Sequence, residues 1–219
     1  MEPRVSGVGV LDKSMAVLAA VAEVPGGCNL AELVSTTGLS RATAHRLAVA
    51  LEGHGLLRRQ ADGRFALGLR LVGLGRAAAD GWPLADAARP VLAQLRTTTG
   101  ESVQLYVRDG DERLCVESLE SPHELRTIVA VGARMPLSLG SAGRVLQAGA
   151  PGGGRPWVES VEERAPGVAS VSAPVVDGRG EVVAAVGVSG PVERTTRQPG
   201  QRYGEAVANA AAAIGRALS

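Results

Sequence analysis

Aromatic residues are scarce in this chain: two Trp, two Tyr and one Phe in 219 positions. Its cores must therefore rely on Leu, Val and Ala, and nothing suggests a platform on which single-stranded bases would stack. Cys28 and Cys115 are isolated, with no CxxC spacing, and read as plain thiols of a reducing compartment. Three scattered histidines make no metal set, so neither a metal nor a cofactor is expected. No apolar run reaches 18 residues, and the N-terminus lacks a charged-then-apolar signal pattern. A soluble cytoplasmic protein with no membrane partner is the expectation. Local signatures for a phosphate-binding loop (GxxxxGKS/T), a zinc protease (HExxH) and a nucleophile elbow (GxSxG) are missing too. Gly73-Leu74-Gly75 has no third glycine at the dinucleotide spacing and no strand before it. Glu159, Glu162 and Glu163 imitate a carboxylate pair. They read instead as a solvated helix face, because Arg164 and Pro166 follow with no partner for acid–base work. The chain is expected not to be an enzyme.

What is present is concentrated in residues 28–70, CNLAELVSTTGLSRATAHRLAVALEGHGLLRRQADGRFALGLR. Leu30, Leu33 and Val34 have helical spacing over 30–36, with Asn29 placed as N-cap. Gly38 supplies the left-handed residue of a sharp turn, and Ser40 reads as the N-cap of a second helix running to about Glu52. On that helix Ala44, Leu47, Ala48 and Leu51 share one face and must pack inward. The opposite face carries Ala42, His45, Arg46 and Val49, with Arg41 and Thr43 at its edges. A helix whose outer face is short, polar and basic in its first turns suits a DNA major groove. An amphipathic helix with a solvated charged face has the same pattern, so the residues that follow decide. Leu56–Gln60 and Arg64–Leu67 flank Ala61-Asp62-Gly63, a hairpin signal, and Arg58, Arg59 and Arg64 cluster at it as a phosphate-contacting wing requires. Residues 40–70 hold six arginines against Glu52 and Asp62, a local +4, in a chain whose formal net charge is only +1. Double-stranded DNA is the expected partner.

Four blocks in order resemble the IclR family of bacterial transcriptional regulators: 10–23 (VLDKSMAVLAAVAE), 30–71, 135–150 (MPLSLGSAGRVLQAGA) and 162–196. The SGVGVLDKS opening and GVASVSAPV look most like an actinomycete branch of it tied to amino-acid metabolism. The resemblance implies an α+β protein. An N-terminal winged helix-turn-helix domain (1–69) is joined by a linker helix (70–82) to a GAF/PAS-like effector-binding and oligomerisation domain (83–219) with an antiparallel sheet. The outward helix face and the basic hairpin give the DNA contacts as Lys13, Ser40, Arg41, Thr43, His45, Arg46, Arg58, Arg59 and Arg64, with His45 and Arg46 as the base readers because they point away from the core; Lys13, at a helix start, is either a backbone-phosphate contact or solvated. The resemblance also places Gly140 and Ser141 at the family's backbone contacts to a small-molecule effector, and Ser160, Ser170 and Ser189 at further pocket positions. Gly187 stands where a second serine is usual, which reduces the polar pattern and favours a larger, partly apolar ligand such as an amino acid over a glyoxylate-like one. The interval between Ala150 and Val168 is shorter than usual in the family, and Gly152–Gly154 suits a mobile loop.

The remaining pattern agrees with two domains. Leu69–Asp80 and Leu84–Thr98 read as helices broken at Gly81-Trp82-Pro83, the first small and apolar enough for a linker, a dimer contact or both. Residues 102–108, 114–119, 127–131, 168–176 and 182–189 read as strands, and 203–218 as an Ala-rich closing helix. Such an order indicates an antiparallel sheet covered on one side. A homodimer or dimer of dimers is expected, since winged domains bind paired half-sites. The alternative is a ligand-independent module whose C-terminal domain only dimerises.

Overall fold

Asn29 ends an extended segment and closes a capping box. Its side chain accepts from the Ala31 and Glu32 amides, while the Glu32 carboxylate accepts the Asn29 amide at 2.8 Å. These bonds start the second helix of a computed structural model that describes residues 7–80, 82–148 and 155–218. The first helix is α1 (Gly9–Glu23), the second α2 (Leu30–Thr37) and the third α3 (Arg41–Gly53). Gly38, at φ +65°, turns the chain between α2 and α3. A two-stranded hairpin follows, β1 (Leu57–Arg59) and β2 (Phe65–Leu67), with Arg58 opposite Ala66. Cys28 exchanges both backbone hydrogen bonds with Phe65, so the chain ahead of α2 extends this hairpin by one bridge. Val17 and Val21 of α1 meet Leu33, Leu47, Leu51, Leu57 and Phe65 in one core. Then α4 (Arg70–Asp80) leaves the hairpin with Leu69, Val72 and Leu74 exposed.

The chain divides into two contact units, 1–81 and 82–219, so the helix at 70–80 is counted with the first. In the second unit α5 (Pro83–Thr99) precedes β3 (Ser102–Asp109), β4 (Glu112–Leu119) and β5 (Arg134–Pro136). There follow α6 (Gly140–Ala148), β6 (Val158–Val161), β7 (Val168–Val176), β8 (Val182–Pro191), the single turn α7 (Val192–Thr195) and α8 (Pro199–Ala217). The six strands pair antiparallel in the order β5-β4-β3-β8-β7-β6. Alternation along β7 decides what lies on each face. Val171, Ala173 and Val175 join Leu92 of α5 and Val207 and Ile214 of α8 in the main core, whereas Ser170 and Ser172 face α6. Helices therefore flank both faces of the sheet. The expectation of a sheet covered on one side is corrected by α6, which seats Ala142, Val145 and Leu146 against Tyr106, Cys115 and Ala185 on the second face. Trp157 lies against α8, where a Cβ on Gly200 would come within 2.6 Å of the indole nitrogen and one on Gly204 would overlap the ring.

Two sequence expectations fail here. Residues 127–131 form no strand: the Thr127 carbonyl is held by Ser102 Oγ at 2.6 Å, Gly132 turns the chain at φ +89°, and the ladder resumes only at β5. Glu159, Glu162 and Glu163 are not a helix face. Glu159 lies in β6, whose pairing from Val158–Ser172 to Val161–Ala169 makes the segment a hairpin arm, and the other two lie in the turn that joins it to β7. Gly152–Gly154, expected as a mobile loop, and Gly81 lie outside the described residues.

Candidate functional site

The outer face of α3 is built by its own packing. Ala44, Leu47, Ala48 and Leu51 are buried, which turns Arg41, Ala42, His45, Arg46 and Val49 to solvent. Ser40 caps the helix, its Oγ accepting the Thr43 amide at 3.3 Å and lying 2.9 Å from Thr43 Oγ1. Lys13 is exposed on α1. On the hairpin, Arg58 is exposed and Arg59 stacks over the Phe65 ring at 4.3 Å, 3.5 Å from Glu52. Arg64 departs from the expectation of a phosphate contact. It turns inward, Nε and Nη2 donating to the Gly27 carbonyl at 3.0 and 2.7 Å, and Nη2 pairs with Glu32 at 2.8 Å. It fastens the hairpin to the first turn of α2, and the outward positive charge of the hairpin comes from Arg58 and Arg59.

The five residues singled out in the second unit come together. Gly140, Ser141, Ser160, Ser170 and Ser189 all line one cavity of about 30 Å³ between α6 and strands β6, β7, β8 and β3. Ser141 Oγ, at the start of α6, lies 2.8 Å from the hydroxyls of both Ser170 and Ser172. Ser189 Oγ donates to Gln104 Oε1 at 2.9 Å. Gln104, Tyr106, Arg113, Arg164 and Ser172 also line the cavity and were missed by sequence reasoning. Ser172 was within reach, since it stands two residues from Ser170 and strand alternation gives both the same face. Ser172 stands opposite Gly187, and a Cβ on Gly187 would overlap Ser172 Oγ, so the two positions cannot both carry a side chain as placed here.

Electrostatics at the site are set by burial. Arg113, 3% exposed, donates from Nη1 to the carbonyls of Pro136 (2.8 Å) and Leu139, and sits 5.4 Å from the Tyr106 ring centre. Desolvation pulls its pKa down, and the charge of Arg164 adds to this. Desolvation also pushes the Tyr106 phenol up to about 12, so it stays protonated. Arg113 Nε and Gln104 Nε2 are buried with no hydrogen-bond partner. The described lining contains two guanidiniums and no carboxylate. Among the described residues no group of His, Cys, Asp and Glu could hold a metal, and no helix is long and apolar enough to cross a membrane.

A capped helix pair, a hairpin with outward arginines and a separate α+β unit place the chain in the class of winged helix-turn-helix DNA-binding regulators. Family models agree over most of its length: the IclR helix-turn-helix domain matches residues 10–61, and the bacterial transcriptional regulator IclR C-terminal domain matches 76–152 and 155–216. The chain belongs to the IclR family, whose members are transcriptional regulators and not enzymes. It is 31% identical to the glycerol operon regulatory protein of Streptomyces griseus over 95% of both chains. It is 38% identical to the regulator KipR of Bacillus subtilis over 61% of this chain and 53% of that protein. An IclR homologue of Microbacterium hydrocarbonoxydans, solved with 4-hydroxybenzoate, shares the fold at TM-score 0.82 and 21% identity, over 95% of this chain and 98% of that one.

Proposed function

We propose that this regulator is cytoplasmic and binds its operator as a homodimer or dimer of dimers, and that a small organic acid or amino acid in the serine-lined cavity modulates that binding. The observation that carries the ligand reading is the cavity's lining. Five serines, an unpartnered Gln104 amide, two guanidiniums and the start of α6 converge on a space with no carboxylate of its own, which is how a small anion is held. The polar lining and the small volume favour the organic-acid end of that range over a large apolar ligand. At about 30 Å³ the cavity holds only a water or two, so ligand entry requires rearrangement, and a site that must rearrange can transmit binding. The Streptomyces relatives, both glycerol operon regulatory proteins, favour an actinomycete branch.

On the DNA side, His45 and Arg46 read base edges, Ser40, Arg41 and Thr43 contact the groove edge, and Lys13, Arg58 and Arg59 contact phosphates. Residues 70–82 act as the linker, and the exposed Val72 and Leu74 of α4 supply the dimer contact. The test is fluorescence anisotropy on the chain's own upstream DNA and a scrambled duplex, titrated with salt and with a panel of keto acids, hydroxy acids and amino acids. Selective binding that one acid releases or tightens is expected. Selective binding that no member of the panel alters would favour the module whose C-terminal domain only dimerises. Arg46→Ala is expected to cost about 1–3 kcal/mol on the operator alone; equal weakening on both duplexes would make Arg46 a phosphate contact.

A further inference from the structure

The start of α6, where the cavity would receive an anion, is already held by a carboxylate of the chain itself. Glu163 Oε2 accepts the Gly140 amide at 3.1 Å, and Glu163 Oε1 pairs with Arg144 Nη2 at 3.0 Å. Glu163 reaches this position from the 162–167 turn between β6 and β7, which is closed by the Glu162 amide donating to the Val168 carbonyl at 2.7 Å. Arg164, the next residue of the turn, lines the inner cavity and also an outer groove of about 440 Å³, and Val168 does the same. The turn is thus the partition between the two spaces.

A second observation comes from the lining. Arg113 is 3% exposed with Nε unpartnered, and Gln104 is 2% exposed with Nε2 unpartnered, both on the cavity wall. Buried guanidinium and a helix start both require negative charge close by. Glu163 supplies it to the start of α6 and to Arg144, and leaves the inner donors, Arg113 Nε and Gln104 Nε2, unused.

We propose that Glu163 is a built-in surrogate for the effector's carboxylate: the ligand binds by taking the Gly140 amide and Arg144 from Glu163, whose turn then moves toward the outer groove. This rests on the reading of the cavity as the effector site. The exchange replaces one negative charge by another, so a carboxylate ligand wins only through the additional donors inside, Gln104 and the serines, and an uncharged isostere cannot replace Glu163 at all. Occupancy by Glu163 also lowers apparent affinity by the fraction of time the site is open. The plainer alternative is that Glu163 is only a distant cap for α6.

The probes are acetate and its uncharged isostere acetamide, followed through the Gly140 and Ser141 amide resonances of wild type, Glu163→Ala and Glu163→Gln. In Glu163→Ala the acetate dissociation constant is expected to fall about tenfold, with acetamide inert. Glu163→Gln keeps the side chain's shape and a neutral acceptor for Gly140, so a smaller gain in the same direction is expected, and it carries the test if the alanine variant does not fold. Acetate that binds the variants no more tightly than wild type, or that shifts resonances scattered over the surface, overturns the proposal. Operator release by a metabolite with unchanged acetate affinity in the variants overturns the surrogate and leaves effector sensing standing. Tightened acetate binding without any operator response supports the surrogate and removes only the sensing role.

Discussion

Arg64 ties the hairpin to Gly27 and Glu32, while the Arg58 side chain on the same hairpin makes no hydrogen bond or ion pair among the described residues. The two arginines should fail differently when removed. Arg64→Ala is expected to destabilise the N-terminal unit by about 1 kcal/mol, the low end for a charged hydrogen bond because the side chain is 29% exposed, and to leave the salt slope of DNA binding alone. Arg58→Ala should melt like wild type and reduce that slope by about one. Sequence could not separate them, since both sit in a basic hairpin and only the approach of Gly27 to Phe65 brings an acceptor to Arg64. The two thiols give another residue-scale test. Burial pushes Cys115 up to about 11 and raises Cys28 as well, so neither should react with a disulfide reagent at pH 8 until the chain is unfolded. Prompt modification of the folded protein would contradict this. Cys115 titrates near 9.0 when unfolded, and its raised folded value means a contribution to stability that is complete below 9.0 and lost as pH rises through about 11. Tyr106, raised from 10.0 to about 12, acts in the same direction, and the alkaline loss of melting temperature should therefore arise in the C-terminal unit.

At the scale of elements, β7 and β8 form one polar wall together. Ser170 opposes Ser189 and Ser172 opposes Gly187, so the side chains of one strand fit the gaps of the other. Gly187→Ala would force Ser172 Oγ off Ser141 and bring the new methyl to 3.2 Å from the Val171 carbonyl. A loss of about 1–3 kcal/mol, as overpacking gives, is expected in thermal melts, along with weaker binding of any ligand in the cavity. Unchanged melting would show that the wall has room to give. The helix-turn-helix was legible because its signals are local: Asn29, Gly38 and Ser40 fix the ends, and the four-residue spacing of Ala44 and Ala48 fixes the face. Gly140, Ser141 and Ser189 were found through the family resemblance, and Ser172 lay one strand period away. Arg113 and Gln104 were not legible, because their places depend on β3 pairing with both β4 and β8, and β8 begins more than seventy residues later in the chain. The 155–167 segment misled for a related reason. Its acidic residues have helical spacing, but pairing with β7 overrides it.

At the scale of the whole molecule, the division at residue 81 separates a small DNA-binding core from a larger sheet domain, each with its own apolar cluster. Val72 and Leu74, 62% and 52% exposed on α4, are costly to leave in water on a helix of 11 residues. If the proposed dimer forms through this face, replacing both with lysine is expected to shift sedimentation toward monomer and to weaken operator binding by more than tenfold, since each winged domain would then hold a single half-site. A dimer that persists would move the contact elsewhere on the surface.

The scarcity of rings has an optical consequence. Trp82, Tyr106, Trp157 and Tyr203 all belong to the second unit, and the first has Phe65 alone. Excited at the red edge of its absorption, the protein emits only from the effector half, and the DNA-binding half is dark. Trp157, seated on Gly200 and Gly204 immediately before β6, stands on the strand that leads to Glu163. Its emission, once that of Trp82 is subtracted with a Trp82→Phe variant, is a native reporter of that strand, read without any label and without interference from the domain that touches DNA.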